Sequence, residues 1–316
     1  MRDAEVRPGR TARGGETVMD RPIVVGVDRS PESVAALEWA AEEAQLRARP
    51  LQVLHAWEWH PRPLATVPAD KSEHEWAQGA LNDALERVSA QFPELPVEGE
   101  LVSGAARDVL VAAATRAEML VIGSRGIGTI SGFLVGSVGL STVARAERPV
   151  VLVRSAAAGN AAEAADDRLL PIAVGLDAAH HGDPLIEFAF EAARVRSLGL
   201  RFVYAYSPPS IHDRAAGKRD SPYGRELLQE RQHALADVLS GWRQKYPDVA
   251  VTEEAVAGKP ARVLLEAAAG ARLLALGRPR RPARLGPHVG PVIHAATHHA
   301  PCPVAVVPHE RSAGGT

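Results

Sequence analysis

Several features that mark whole classes of protein are scarce or missing in this chain. A single cysteine, Cys302, excludes an internal disulfide and is typical of proteins from a reducing compartment. No apolar run approaches the roughly 18 residues that a membrane-spanning helix needs, and residues 1–20 lack the apolar core of a secretory signal peptide. We therefore expect a cytoplasmic protein without a membrane segment.

The charge balance and the aromatic content exclude a further class of partner. The 316 residues include 36 basic and 38 acidic ones, a net charge of −2, so no overall positive field attracts nucleic acid. Aromatic residues make up 4% of the chain, too few to predict stacking platforms for single-stranded nucleic acid. The hydrophobic share of 46% is ordinary for a globular protein, and the length suggests two domains.

The sequence contains one internal repeat. PIVVGVD at 22–28 returns as PIAVGLD at 171–177, which is 149 residues later. Gly123 and Gly277 occupy equivalent places 154 residues apart, so the two copies differ by one change of five residues in length. Two copies of one domain therefore account for nearly the whole chain.

These copies predict how the chain is divided. The predicted segments are a disordered tail at 1–18, a first domain at 19–153, a linker at 154–168, a second domain at 169–309 and a tail at 310–316. The first tail is rich in Arg and Gly and has no counterpart before the second copy. It could equally be an upstream extension of a chain that starts at Met19.

Short apolar runs alternate with amphipathic stretches in each copy. In the first copy, runs predict strands at 23–27, 51–57, 97–102, 119–123 and 149–153, and stretches predict helices at 31–47, 75–91, 107–116 and 137–146. Ser30 and Pro31 are typical of a helix start, as the N-cap and the first helical residue. Alternating strands and helices predict a parallel, doubly wound α/β sheet, and the second copy repeats the order.

A glycine-rich segment, GSRGIGTISGFLVGSV at 123–138, links the fourth predicted strand to the fourth predicted helix. Its glycines allow backbone N–H groups to approach a ligand, and a helix N-terminus favours anions. Ligands of doubly wound sheets bind beyond the carboxyl ends of the strands, so we expect a phosphate group here. The segment lacks the Gly-Lys-Ser/Thr of a P-loop, and it follows the fourth strand rather than the first, unlike a Rossmann fingerprint.

Asp28 ends the first predicted strand, whose carboxyl end opens onto the same crevice. Its carboxylate could accept a hydrogen bond from an adenine amino group or a ribose hydroxyl. It could also cap the helix that begins within DRSPES. The residues alone leave both roles open.

Taken together, three motifs resemble the universal stress protein family. They are PIVVGVDRSPES at 22–33, VLHA at 53–56, and the spacing Gly-x2-Gly-x9-Gly-Ser that begins at Gly123. The resemblance covers both copies and implies two tandem domains, each an open five-stranded parallel sheet with helices on both faces. It also implies dimer-like pairing through the fifth strands, which the two halves could satisfy within one chain, and a homodimer is possible.

The resemblance further implies an ATP site in the first copy, with Mg²⁺ accompanying the nucleotide. Adenine is expected to contact Asp28, with Val27 beside it, and the backbone of Ala56. The phosphates and the ribose are expected to contact Gly123, Arg125, Gly126, Gly136, Ser137 and Val138. Gly139 stands where Ser or Thr is usual in the family, which removes one hydroxyl contact.

The equivalent segment of the second copy, GRPRRPARLGPHVGPV at 277–292, departs from the pattern. Arg280 replaces the second glycine, where close backbone approach is needed. Pro291 replaces the serine and removes an N–H and a hydroxyl. Asp177 keeps the place of the adenine-contacting aspartate, but we expect one competent site per chain. We expect the arginines of this segment to be solvated rather than to bind phosphate.

The other candidate side chains predict neither a catalytic nor a metal centre. His294 and His298 could ligate a metal from one helix face, but no Cys or acidic residue completes the set, so we expect a solvated or partner-facing helix. The chain has no Gly-x-Ser-x-Gly elbow and no carboxylate pair that would direct water at a phosphate. We expect Cys302 to be a buried, inert thiol.

The resulting hypothesis is an ATP-binding regulatory protein of the stress response. It is not expected to be an enzyme, and it would act on an unidentified protein partner without nucleic acid or membrane. Two alternatives stay open, an interaction scaffold that binds no nucleotide and a slow ATPase. A cyclic nucleotide in place of ATP is a variant of the first hypothesis.

Overall fold

The computed structural model describes residues 21–58, 73–124, 137–155, 169–177, 182–207, 222–280 and 288–310. In the first half the elements are β1 (Ile23–Gly26), α1 (Pro31–Arg47), β2 (Leu51–Trp57), α2 (Glu73–Gln91), β3 (Val97–Ser103), α3 (Ala106–Arg116), β4 (Met119–Gly123), α4 (Ser137–Arg145) and β5 (Val150–Val153). In the second half they are β6 (Ile172–Gly175), α5 (Asp183–Arg196), β7 (Leu200–Tyr206), α6 (Pro222–Lys245), β8 (Val251–Ala257), α7 (Pro260–Ala268), β9 (Leu273–Pro279), α8 (Pro291–His299) and β10 (Val304–His309). Every element predicted in the first half is present, and its ends lie within two residues of the prediction.

The first helix shows why sequence patterns fix these boundaries. Ser30 has an extended backbone (φ −68°, ψ 152°), and its hydroxyl accepts a hydrogen bond from the backbone N–H of Ser33 at 3.2 Å. Pro31 follows as the first helical residue, where its missing N–H costs nothing. The helix ends when Ala48 turns left-handed (φ 52°). The predicted N-cap is therefore confirmed.

All ten strands lie in a single sheet, in the order β3-β2-β1-β4-β5-β10-β9-β6-β7-β8. Neighbouring strands are parallel within each half, as predicted. At the centre β5 and β10 pair antiparallel, with Ala305 opposite Val151. The implied pairing of fifth strands within one chain is confirmed, and it joins two five-stranded sheets into one.

Apolar side chains fill both faces of this sheet, as a parallel sheet covered by helices requires. Helices α1, α2, α5 and α6 cover one face, and α3, α4, α7 and α8 cover the other. The core on the first face includes the fully buried Phe190 and Phe202, and the core on the second includes Leu120 and Leu274. Each core continues from one half into the other without a break.

On the first face, α1 and α5 meet at the junction of the two halves through two arginine–aromatic contacts. The guanidinium carbon of Arg47 lies 5.9 Å from the Phe188 ring centroid, and that of Arg196 lies 5.4 Å from the Trp39 ring centroid. Arg196 and Phe188 each stand 149 residues after their first-half counterparts, so the two contacts are related by the internal repeat. Cation–π attraction thus acts twice across the junction.

Glu43 lies between those two arginines and is 1% exposed. Its carboxylate accepts hydrogen bonds from both Arg47 and Arg196. Burial lowers the pKa of Arg196 to about 10, still well above neutral pH, so the guanidinium keeps its charge beside the carboxylate. The repeat places Ala192 at the equivalent position of α5, so one carboxylate serves both arginines.

On the second face, two arginines link the halves by donating hydrogen bonds to carbonyl oxygens at helix C-termini. Arg154 donates to the carbonyl oxygens of His298 and Ala300, both at 2.7 Å, at the end of α8. Arg278 donates to the carbonyl oxygen of Ala146, directly after α4. The C-terminal end of a helix carries partial negative charge, which favours a cation there.

Replacing Glu43 with alanine should lower the free energy of unfolding by about 3–5 kcal/mol, because two buried guanidinium groups lose their shared carboxylate. The matched control is Glu42→Ala, since Glu42 is half exposed and pairs with Arg272 at 3.4 Å. That surface pair should cost less than about 1 kcal/mol. Urea unfolding of both variants measures the difference, and equal losses would contradict a special role for Glu43.

Candidate functional site

A cavity of about 270 Å³ opens at the carboxyl ends of β1, β2 and β4, where doubly wound sheets bind their ligands. Residues from six elements or their ends meet there, and the predicted contact residues among them are Val27, Asp28, Ala56, Gly123 and Val138. Gly139, which departs from the family pattern, also lines the cavity. The structure therefore brings together five residues that the sequence assigns to one site.

The other predicted contacts fall mostly outside the part of the chain that the structure describes. Arg125, Gly126 and Gly136 lie outside it. Ser137 begins α4, but its side chain is not among the described atoms. Their contribution to the site therefore remains a prediction.

Asp28 supports the residue that caps α1 and also lies at the mouth of the cavity. Its Oδ1 accepts a hydrogen bond from the backbone N–H of Ser30 at 3.0 Å and another from the Ser30 hydroxyl. The Ser30 hydroxyl in turn caps α1, so Asp28 orients the capping residue. The side chain is exposed to solvent and lines the cavity. The capping role that the sequence left open for Asp28 therefore belongs to Ser30, and the contact of Asp28 with adenine stays a prediction.

The backbone reverses sharply between Asp28 and Ser30. Arg29 has a positive φ of 64°, a left-handed conformation that costs a residue with a Cβ roughly 1 kcal/mol or more. Its guanidinium pairs with Asp83 of α2 at 2.8 Å on the surface. This reversal was not predicted from the sequence, and it directs the Asp28 carboxylate back toward the start of α1.

His55 fixes the end of β2 against the end of β1. Its Nδ1 lies 2.7 Å from the carbonyl oxygen of Val27, which can only accept, so Nδ1 carries the proton. This bond joins the backbone on either side of the cavity. Ala56, the next residue, is thereby held at the cavity wall.

The close packing around residue 123, which the sequence does not reveal, explains why this residue is a glycine. A Cβ at this position would lie 2.6 Å from the carbonyl carbon of Glu32 and 2.7 Å from the backbone nitrogen of Ser33. Close packing against the first turn of α1 is therefore one reason for this glycine, and its expected contact with a ligand stays a prediction although it lines the cavity. Glycine allows β4 to pack against that turn.

The floor of the cavity is apolar and was missed by sequence reasoning. Leu54, Leu110 and Ile122 line it, and a Cβ on Gly26 would lie 2.8 Å from a methyl carbon of Leu110. In the sequence these residues look like ordinary core positions of two strands and a helix. Their place at the base of the cavity becomes clear only in the structure, where Leu110 packs closely on Gly26 and the three side chains offer an apolar surface to a flat group.

The second half contains an equivalent cavity of about 770 Å³. Asp177, Ala205, Gly277 and Val292 line it, at the positions that Asp28, Ala56, Gly123 and Val138 occupy in the first half. Departure from the glycine pattern has therefore not closed the pocket in this half.

One expectation for the second half is wrong. Arg278 is 7% exposed, and its guanidinium bonds to the first half rather than to solvent. Burial lowers its pKa, and the nearby Arg280 adds to the effect. Arg280 itself is exposed and pairs with Glu310 at 2.9 Å. The buried role of Arg278 depends on Ala146 in the other half, which no local pattern indicates.

The exposure of the histidines on α8 also differs from expectation. His298 is 4% exposed and its ring centroid lies 4.4 Å from that of His294, which is exposed. Burial, together with His294, His299 and Arg154, lowers the pKa of His298, so its ring is neutral at pH 7. A solvated helix face is therefore wrong for His298. Across the described ranges, no group of three His, Cys, Asp or Glu side chains could hold a metal ion.

Cys302 is buried, and burial raises the pKa of its thiol to about 12. The predicted inert thiol is confirmed, since a thiol with so high a pKa carries almost no reactive thiolate at neutral pH. Among the described helices, none is both long enough and apolar enough to cross a bilayer.

Comparison with known proteins gives consistent results for both halves. The model of the universal stress protein family matches residues 19–154 and again 170–308. Universal stress protein Rv2005c of Mycobacterium tuberculosis is 35% identical over 292 residues, covering 90% of this chain and 96% of the relative. A universal stress protein of Mycolicibacterium smegmatis is 32% identical over 298 residues, with the same two coverages.

Among solved structures, a universal stress protein from Archaeoglobus fulgidus superposes with a TM-score of 0.63. It covers 91% of this chain and 98% of its own, at 15% sequence identity. At that identity the likeness shows the fold alone.

Alanine at Gly123 and at Gly277 should have unequal effects. At Gly123 the new methyl would meet the α1 backbone, which cannot move away, and the loss of stability should reach about 3 kcal/mol. At Gly277 the nearest atoms, 3.0–3.3 Å away, belong to the side chains of His309 and Leu185, which can shift, so the loss should be about 1 kcal/mol. Thermal or urea unfolding measures both, and a larger loss at Gly277 would contradict the packing argument.

Proposed function

The chain belongs to the universal stress protein family, and we propose that its first half binds ATP to regulate a partner protein in a stress response. The observation that carries the proposal is the convergence of five predicted contact residues on one cavity at the carboxyl end of the sheet. Those residues come from separate parts of the sequence, so their meeting depends on the fold.

The cavity has the chemistry that an adenine ring needs. Leu54, Leu110 and Ile122 offer an apolar floor for the flat faces of the base. At the mouth, the Asp28 carboxylate can accept a hydrogen bond from the exocyclic amine, and the backbone of Ala56 lies at the wall. An apolar pocket with a few placed polar groups is typical of small-molecule sites.

The phosphate end would lie at the start of α4. This helix begins at Ser137, and its first-turn residues Val138 and Gly139 line the cavity. Unpaired N–H groups and the partial positive charge of a helix N-terminus both stabilise a phosphate group. The glycine-rich segment before the helix would add backbone donors.

Mg²⁺ would accompany the nucleotide rather than occupy a protein cage. The described residues hold no cluster of three metal-ligating side chains. That agrees with an ion bound mainly through phosphate oxygens and water, as Mg²⁺ commonly is in nucleotide sites. The protein would need to contribute at most one carboxylate.

We propose that the nucleotide is a regulator and not a substrate. The Asp28 carboxylate accepts from the Ser30 hydroxyl, but that hydroxyl also accepts the backbone N–H of Ser33 as the N-cap of α1, so we expect any hydrolysis of ATP to be slow. Binding would change the surface next to the cavity for a protein partner. The cytoplasmic location and the homodimer remain predictions, and a homodimer would use a surface other than the β5 edge, which β10 already occupies.

Exchange of the loop residues between the halves tests the site. Purified wild type should hold a single ATP per chain, and the variant Gly126→Arg, Ser137→Pro, which copies the second-half residues, should hold none. The matched control is Arg280→Gly, Pro291→Ser in the second half, which should leave the first-half site intact. Released nucleotide is identified after denaturation, and stripped protein is titrated with ATP and cyclic AMP.

Each possible outcome of this experiment supports a different hypothesis. Two ATP per wild-type chain would show that the second half is also competent. Absence of binding by correctly folded wild type would leave the interaction scaffold. Phosphate release on the time scale of seconds would instead support an ATPase.

Asp28→Asn should weaken ATP binding about tenfold, or ~1.4 kcal/mol, because a charge-assisted hydrogen bond becomes a neutral one. The amide oxygen can still accept from the backbone N–H of Ser30, so α1 should keep its start. Calorimetric titration measures the affinity and thermal unfolding checks the fold. An unchanged affinity would remove Asp28 from the site.

A further inference from the structure

The second-half cavity has no assigned ligand, and its lining comes from helices on both faces of the sheet. Leu227, Glu230 and Arg231 of α6 line it from one face, and Pro260 and Leu264 of α7 line it from the other. Its volume of about 770 Å³ falls within the range typical of small-molecule sites. The described lining of the first cavity, of about 270 Å³, includes no residue of α2, the helix equivalent to α6.

In the first half, aromatic packing occupies the side of the sheet that α2 covers. Trp57 and His74 meet edge to face with their ring centroids 5.4 Å apart, and the guanidinium carbon of Arg29 lies 5.7 Å from the Trp76 ring centroid. Glu230 is the second-half equivalent of Trp76, at the spacing that relates the two glycine-rich segments. A glutamate in place of this ring leaves the second cavity open toward α6.

More of the second cavity's lining is apolar than polar. The buried side chains of Val203, Leu276, Leu264 and Ile293 belong to it, and they come from two strands and two helices. Tyr206, at the end of β7, adds an aromatic ring. Such a surface favours a ligand with an apolar, ring-sized body, because both surfaces leave water on binding.

The charged groups of the described lining balance each other. Asp177 and Glu230 are negative, Arg231 and Arg278 are positive, and Glu230 lies 3.9 Å from Arg231. Arg278 is buried and donates to the Ala146 carbonyl oxygen of the first half, so it contributes mainly its charge. A lining without net charge attracts neither anions nor cations, and the two carboxylates would repel a polyphosphate.

Uncharged polar groups complete the lining. Ser207 and His288 are exposed and can hydrogen-bond to a ligand that leaves part of its edge near solvent. We propose that the second-half cavity binds an uncharged molecule with an apolar body of one or two rings and hydrogen-bonding groups along one edge. This inference does not depend on ATP binding in the first half.

The probe for this site is N-phenyl-1-naphthylamine, an uncharged aromatic amine whose fluorescence rises in apolar pockets. Wild type should bind it saturably. Glu230→Trp restores the first-half residue beside the cavity and should weaken binding about tenfold. The matched control Gln229→Trp adds the same ring to the same helix at an exposed residue outside the described lining, and it should leave the affinity unchanged. Equal losses in the two variants, or binding that does not saturate, would overturn the assignment.

A further control separates the two cavities. Ala56→Trp places an indole in the first cavity and should leave the affinity for the uncharged probe unchanged. Thermal unfolding checks that each tryptophan variant is folded. A loss with Ala56→Trp that matches the loss with Glu230→Trp would place the probe outside the second cavity and refute the proposal.

The charge balance is tested with 8-anilinonaphthalene-1-sulfonate, which has the same rings and one negative charge. It should bind wild type about tenfold more weakly than the uncharged probe, because its sulfonate would lose water without gaining a cation. Glu230→Gln gives the described lining one net positive charge. This variant should bind the sulfonate about threefold more tightly and the uncharged probe equally well. Tighter binding of the sulfonate than of the uncharged probe by wild type would overturn the proposal.

Competition with ATP completes the test. In the Gly126→Arg, Ser137→Pro variant, ATP should leave the uncharged probe in place. Displacement of the probe by ATP in that variant would assign the second cavity to a nucleotide and refute the proposal.

Discussion

Backbone N–H and C=O groups pair along the edge that β5 and β10 share, at residues 150–152 and 304–306, and the rest of the structure depends on that pairing. Every residue of both strands is buried, so an unpaired edge here would leave polar backbone groups inside an apolar core. Pairing removes that cost and makes the two halves one sheet. The cores on both faces can then continue across the junction, and the helices of the two halves come into contact.

The two halves repeat each other in fold and in the arginine–aromatic contacts on one face of their junction, but not in the arginine–carbonyl contacts on the other face. Ala146 and Ala300 are equivalent residues after α4 and α8, and both carbonyls accept from an arginine. The arginines themselves are not equivalent, because Arg154 follows β5 whereas Arg278 lies within β9. The two halves therefore differ in the arginines that join them, and they also differ in the residues that line their cavities.

Much of this architecture could be predicted from local patterns, since strands buried on both faces and capped helices leave clear signals. The meeting of Asp28 and Gly123 at one cavity follows from the rule that ligands bind at the carboxyl ends of strands, whereas the assignment of Val27 and Ala56 to it depends on the family resemblance. What could not be predicted depends on residues distant in the sequence. The backbone of α1 explains Gly123, and a carbonyl in the other half explains the burial of Arg278.

Glu43 has a consequence for which domains can pair. In an exact two-fold dimer of first halves, the axis would bring two copies of this glutamate together with two copies of Arg47, one carboxylate for each guanidinium group. Two second halves would supply alanine twice and leave two arginines without a carboxylate. Only one half of each kind places a single negative charge between two positive ones. The junction therefore distinguishes a mixed pair from a pair of second halves, and it does so whether the two halves belong to one chain or to two neighbouring chains.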